Sequence, residues 1–279
     1  MRRLFLFITI ILCAASVRAQ DDFAPPTAIL MVHFGTTYDD TRAKTIEAIN
    51  AKARQAFAGM EVRDSYSSRI VVKRLKSRGV SKDNPVEALF RLRADGYTRI
   101  IIQPTYIIDG VEMDLLRREV EQLRPFFTDI TIGKPLLYDV EDAKHVADIL
   151  ARRHPVDMKK REHLLLVGHG TPTPATALYS QLDYMLKASG NANCHVSTIE
   201  GYPTQEDAIR LIKAAKGRKV TLVPFLFVAG DHAQNDISKE WKETLEQEGL
   251  QVVLHIEGLG EVPEIQDIYI EHIKKQVNK

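Results

Sequence analysis

Three residues of this chain, His169, Glu200 and His232, each stand just past an apolar, β-rich run, the runs being 164–167, 195–199 and 220–224 with its extension. In a parallel α/β sheet, ligands bind in the crevice beyond the carboxyl ends of the strands, where loops from distant parts of the chain converge. Two imidazoles and a carboxylate suit a divalent first-row ion such as cobalt, iron, nickel or zinc, and three protein ligands leave positions open for a substrate atom. Neutral histidine and carboxylate also take up protons, so one set of side chains offers both a metal site and a base. The spacing does not single out this chemistry, because a histidine after a strand also serves as a hydrogen-bonded loop residue.

The elements that must position these residues follow a regular alternation. In the first half, short β-branched runs at 28–34, 61–65, 99–103 and 129–132 predict strands, and amphipathic stretches at 40–57, 70–77, 85–94, 113–123 and 142–153 predict helices. A polar segment at 154–163, carrying Pro155, reads as a linker. Strands at 164–167, 195–199, 220–224 and 252–256 then alternate with helices at 175–188, 205–215, 237–247 and 265–276. Strands that alternate with helices form a mostly parallel sheet. The expected fold class is therefore α/β: two similar lobes, each a parallel sheet flanked by helices, with a cleft between them. The lobes are expected at 20–155 and 156–279.

The two lobes read as copies of each other. ILMVHFGTT (29–37) aligns with LLLVGHGTP (164–172), and QPTYIIDG (103–110) aligns without gaps with VPFLFVAG (223–230), in the same order. Two matched landmarks in register favour an internal duplication. The copies differ where chemistry is concerned, since Phe34 falls opposite His169 and Glu112 opposite His232. The polar site is thus expected to be lopsided, concentrated in the second lobe and supplemented by Glu112 from the first. Asp231 and Asp236 flank His232, and either one could orient its ring. Gly35-Thr36-Thr37 reads as a strand-to-helix turn capped by Thr or Asp, and Trp241 as core.

The termini and the charge balance narrow the function classes. Arg2 and Arg3 precede an apolar run from 4 to 15, and small or modest residues at 17–19 precede Gln20, the pattern of a cleaved secretory signal peptide at 1–19. The run is too short to span a bilayer, which takes about 20 apolar residues. Lipid attachment at Cys13 is the lesser option, because no small residue stands just before it. The expected location is periplasmic or otherwise exported. Removal of 1–19 takes away three arginines and no acid, so 35 basic residues face 37 acidic ones, a balance of about −2. Such a chain lacks the basic face of a nucleic-acid binder. Of its two cysteines only Cys194 would remain, so neither an intramolecular disulfide nor a thiolate metal cluster can form.

HFGTTYDDT (33–41), QPTYIIDG (103–110), VGHGTP (167–172), IEGYP (199–203), VAGDHAQND (228–236) and GLGEVP (258–263) together resemble the anaerobic sirohydrochlorin cobalt chelatase family, small chelatases related in fold to ferrochelatase. The resemblance runs in order over nearly the whole mature chain. It implies a ferrochelatase-like fold and the insertion of cobalt(II) into the tetrapyrrole sirohydrochlorin, with Fe2+ as the alternative metal. It also implies that His169, Glu200 and His232 bind the metal, with His169 as proton acceptor. The chain departs from the family at Tyr106, where a histidine is frequent, and at His33, where serine is. Tyr106 reads either as a donor to or stacking partner of the macrocycle or as core, and His33 either as an extra acid/base or axial ligand or as structural. Export fits a cobalamin-type pathway poorly, so an exported haem-binding protein of haem or iron acquisition, removing iron from the macrocycle, is the alternative function. It would act with envelope haem or metal transport components, with homo-oligomerisation as a further expectation. A transporter-linked solute-binding protein is the third class.

Overall fold

The computed structural model describes residues 25–278; the expected signal peptide at 1–19 and Cys13 lie outside them. Among the described residues no helix is long and apolar enough to cross a membrane.

Eight strands form two four-stranded, all-parallel sheets. The first has the order β2-β1-β3-β4, built from β1 (Thr27–His33), β2 (Glu61–Tyr66), β3 (Arg99–Pro104) and β4 (Asp129–Ile132). The second repeats that order as β6-β5-β7-β8, from β5 (Glu162–Gly170), β6 (Cys194–Glu200), β7 (Lys219–Pro224) and β8 (Gln251–Leu254). The central strands β1 and β5 are near-continuous apolar runs because both of their faces are covered. Alternate residues go to different cores. Ile29 and Met31 of β1 join Leu164 and Leu166 of β5 in one core shared by the lobes. Ala28, Leu30 and Val32 face a core private to the first lobe, and Leu165 and Val167 one private to the second, which also contains Trp241.

The helices of the first lobe are α1 (Asp39–Arg42), continued through a π-helical segment Ala43–Glu47 into α2 (Ala48–Ala56), then α3 (Arg69–Lys76), α4 (Pro85–Ala94), α5 (Val111–Leu123) and α6 (Val140–Arg153). In the second lobe α7 (Ala177–Ala188) and α8 (Gln205–Ala214) are followed by a π-helical segment Ala233–Trp241 that runs into α9 (Lys242–Gln247), and α10 (Pro263–Val277) ends the chain. Start signals explain several boundaries. Asn84 and Glu87 form a capping box ahead of Pro85, Thr204 and Asp207 form another at α8, and Asp139 caps α6. The turn at 35–37 differs from expectation: Tyr38 is the N-cap of α1 and supplies no side-chain cap, while Thr36 Oγ1 accepts the Tyr38 amide at 3.2 Å.

A division at 155/156 separates the two sheets in sequence but does not separate the helices. The α10 helix, at the end of the second stretch, returns to the first lobe. Tyr269 Oη donates to the Tyr106 carbonyl at 3.1 Å, His272 Nε2 meets Asp142 Oδ2 at 2.8 Å and Lys52 Nζ pairs with Asp267 at 2.6 Å. The helix preceding the division, α6, packs in turn against α7 of the second lobe. Each lobe is thereby packed by the last helix of the other's sequence, which periodicity within a segment does not encode.

Candidate metal centre

The strand order places the site. In each sheet the chain steps from the central strand to one neighbour and then crosses to the other side, so the crevice opens at the carboxyl ends of β1 and β3 in one lobe and of β5 and β7 in the other. The loops at these four ends meet reciprocally. A Cβ built on Gly110, after β3, would lie 3.4 Å from Thr171 Oγ1, after β5; one built on Gly230, after β7, would lie 3.3 Å from Thr36 Oγ1, after β1. This exchange between glycine and threonine is what a two-fold-related duplication produces.

His169 is the penultimate residue of β5 and His232 the N-cap of the π-helical segment after β7. Because β5 and β7 are neighbours, the two rings come together edge to face, with centroids 4.8 Å apart at 84°. Each ring is held through Nδ1. His169 Nδ1 lies 3.3 Å from the Gly170 carbonyl and His232 Nδ1 lies 2.6 Å from Asp236 Oδ2. A histidine anchored through one nitrogen presents the other as a ligand of fixed orientation, and here both Nε2 atoms lack hydrogen-bond partners among the described residues. Of the two aspartates beside His232, Asp236 orients the ring. Asp231 instead accepts from Tyr38 Oη at 3.2 Å, across the cleft, and from Asn235 at 3.0 Å. His232 was expected in a loop, with the helix starting at 237. The π-helical turn begins four residues earlier and sets His232 and Asp236 on one face, a use of π-helical geometry often found at functional sites.

Glu200 ends β6 and its Cα pairs with that of Gly170, so its backbone lies beside the His169 turn and its side chain is exposed. A contact at this turn is unusually close: Gly170 has φ +87°, and a Cβ there would fall 1.4 Å from the Glu200 carbonyl oxygen. Only glycine permits the two strand ends to approach this way.

From the first lobe, Glu112 enters at the start of α5. Its carboxyl accepts from Ser67 Oγ at 3.4 Å. Burial pushes its pKa up, opposed by the Ser67 hydroxyl and by the charge of nearby His169. The second lobe thus brings His169 and His232 together, the first contributes Glu112 with Ser67, and the Glu200 carboxylate does not join the two rings as a close third ligand among the described residues. Ser67 carried no signal in the sequence, since only strand pairing brings it to α5. Lopsidedness extends beyond the two expected positions. Counting on from the His33–Tyr66 and Gly168–Thr198 pairs, Glu200 corresponds to Ser68, whose side chain caps α3 by accepting the Val71 amide. Phe34, the counterpart of His169, is an exposed apolar side chain, and Val111 and Leu115 extend an exposed apolar face along α5.

The two remaining candidates are buried. His33 is fully buried, with Nδ1 2.9 Å from Thr105 Oγ1 and Nε2 3.0 Å from Asn50 Oδ1. Its ring stacks on Phe227 at 24° and meets Tyr66 edge-on. Both nitrogens are engaged, so it is structural and not an axial ligand or acid/base. It occupies the place taken in the second lobe by Gly168 and the Tyr179 ring, which a Cβ on Gly168 would meet at 2.3 Å. Tyr106 is buried in the private core of the first lobe, where its ring cannot stack on a macrocycle.

The buried histidines set a pH dependence. Burial holds His33 and His154 at about 4 and His195 at about 3, against about 6.5 in an unfolded chain. Above pH 6.5 both states keep these rings neutral. As pH falls below 6.5 the unfolded chain takes up protons that the folded one refuses, so unfolding becomes easier. With about 1–2 kcal/mol lost per ring, denaturant titrations are expected to show stability falling by about 3–5 kcal/mol between pH 6.5 and 5; a flat profile there would contradict neutral burial.

The sequence profile of the cobalt chelatase (CbiK) family matches residues 27–278. The chain belongs to the cobalt chelatase (CbiK) family. It is 33% identical over 256 residues to a sirohydrochlorin cobaltochelatase of Salmonella typhimurium, an alignment covering 90% of this chain and 96% of that one. To the sirohydrochlorin cobaltochelatase CbiKC of Nitratidesulfovibrio vulgaris it is 29% identical over 256 residues, covering 90% of each. Among solved structures, SirB from Bacillus subtilis with Fe3+ superposes with a TM-score of 0.65 at 16% identity, covering 89% of this chain and 94% of that one. This family member therefore shares the chelatase fold of two parallel α/β lobes.

Proposed function

We propose that this protein inserts a divalent metal, cobalt(II) first among candidates, into sirohydrochlorin. One observation carries the reading: in a cobalt chelatase family chain, His169 and His232, each anchored through Nδ1, meet edge to face with both Nε2 atoms unpartnered among the described residues. The sirohydrochlorin cobaltochelatase relatives supply the substrate class. Insertion exchanges a hydrated cation for two pyrrolic protons, so the site must hold the ion, release it to four nitrogens and accept protons. His169 and His232 hold the ion as substrate, and the exposed Glu200 carboxylate serves as third ligand by turning toward them. Glu112, whose carboxyl binds a proton more readily than an exposed one, stands opposite to receive protons. Phe34, Val111 and Leu115 give the planar macrocycle an apolar wall.

An anaerobic absorption time course with sirohydrochlorin and cobalt(II), beside a haem titration in the same buffer, tests this. Faster formation of the cobalt chromophore than in the absence of protein is expected. No acceleration, with a saturable haem spectrum instead, would replace insertion by haem capture. Glu200→Gln is expected to lower insertion by about 10²-fold or more while sparing macrocycle binding, which separates metal holding from tetrapyrrole binding; equal loss of both would remove Glu200 from the metal site.

The pattern at 1–19 supports export as a further part of the proposal. N-terminal sequencing of protein recovered from an envelope fraction should begin near Gln20; an intact Met1 in a cytoplasmic fraction would refute it.

A further inference from the structure

We propose that His154, His255 and Glu257 form a second divalent-metal site, distinct from the His169–His232 centre. His154 ends α6, and His255 and Glu257 follow the edge strand β8, so the site joins the last turn of a crossover helix to the rim of the second sheet. One ligand atom from each residue lies within 4.8 Å of the other two, and among the described residues this is the one group of three or more His, Cys, Asp or Glu side chains that meets so closely.

The geometry matches that of the primary pair. The His154 and His255 rings meet edge to face with centroids 4.8 Å apart at 76°, against 4.8 Å and 84° for His169 and His232. His255 Nε2 is 3.2 Å from Glu257 Oε2. Two ligands of a tetrahedral zinc-like ion with bonds of about 2.0–2.1 Å lie about 3.3 Å apart, so these two atoms already span one edge of such a polyhedron. His154 is only 8% exposed, and its ring has no hydrogen-bond partner among the described residues. Neither ring nitrogen is among the buried, unsatisfied polar atoms, so both are open to solvent and to an incoming ion. Burial also holds its pKa at about 4, leaving a lone pair available at neutral pH.

Arg153 already occupies part of the carboxylate. Its Nε donates to Glu257 Oε2 at 2.8 Å and its second nitrogen reaches Oε1. Each carboxylate oxygen has a further lone pair, so an ion shares Glu257 with Arg153 instead of replacing it. Two imidazoles and one carboxylate favour zinc, cobalt or nickel over calcium or magnesium. Half of the His255 side chain is open to solvent, so ions reach the site without entering the cleft.

The test uses the full chain, stripped of metal, with cobalt(II) alone under anaerobic conditions, bound ion being counted by equilibrium dialysis and its ligand field followed by visible absorption. Two equivalents are expected for the unaltered protein and one for His169→Ala/His232→Ala. Adding His255→Ala to that double variant should abolish the remaining equivalent and its ligand-field bands. Because His255 is half exposed, its truncation leaves the core intact, and Glu257→Gln provides a second variant with the same expected loss. A double variant that binds no cobalt, or one whose bound ion survives both His255→Ala and Glu257→Gln, would overturn the proposal. Each centre is read by its own variants, so failure at one is distinguished from failure at the other.

Discussion

Replacing His169 with alanine is expected to lower cobalt insertion by about two to four orders of magnitude while leaving sirohydrochlorin binding in place. The ring is one of two imidazoles that meet edge to face, each anchored through Nδ1, and its removal leaves the proposed centre a single imidazole for a cation that prefers at least three protein ligands. It also takes away the positive charge that His169, when protonated, places beside Glu112, and with it an influence that holds that carboxyl's pKa down. Metal binding and proton uptake are both disturbed by a single truncation, which is why the effect should exceed that of changing either partner's orientation. The measurement is an anaerobic absorption time course with saturating metal, accompanied by a macrocycle titration without metal. A variant that turns over at the unaltered rate would show that the ion is held elsewhere. One that no longer binds the macrocycle would make His169 part of the tetrapyrrole seat.

Much of this arrangement is legible in the sequence because parallel strands buried on both faces leave unbroken apolar runs. The runs that predict β1 and β5 also carry the glycine turns that reveal the duplication, and the strand order then brings His169 beside His232. What escaped depends on partners far away in the chain. His33 looks like a functional residue at a strand end, yet Asn50 from α2 and Thr105 after β3 engage both of its nitrogens. Tyr106 stands where the family often has histidine, but it is drawn into the first lobe's private core. The π-helical turn that orients His232 through Asp236 has no local sequence rule. The closing helix α10 carries an ordinary amphipathic pattern that says nothing of which lobe it will cover.

Gly170→Ala should be the most damaging small substitution near the centre, costing about 2–5 kcal/mol of stability and most of the insertion activity. Two separate penalties apply. At φ +87° any L-side chain is strained, typically by about 1–2 kcal/mol. The added methyl would also sit 1.4 Å from the Glu200 carbonyl oxygen, a backbone atom, so β5 and β6 must part where they jointly present His169 and Glu200. Gly190→Ala isolates the first penalty, since Gly190 has φ +92° and nothing within 4 Å of its missing Cβ. That variant is expected to lose about 1–2 kcal/mol and keep full activity. Denaturant midpoints and insertion rates for the pair then separate backbone strain from displacement of the strand end. If Gly170→Ala were no worse than Gly190→Ala in both measurements, the close approach of the His169 turn to Glu200 would not be what holds the metal-binding side of the cleft together.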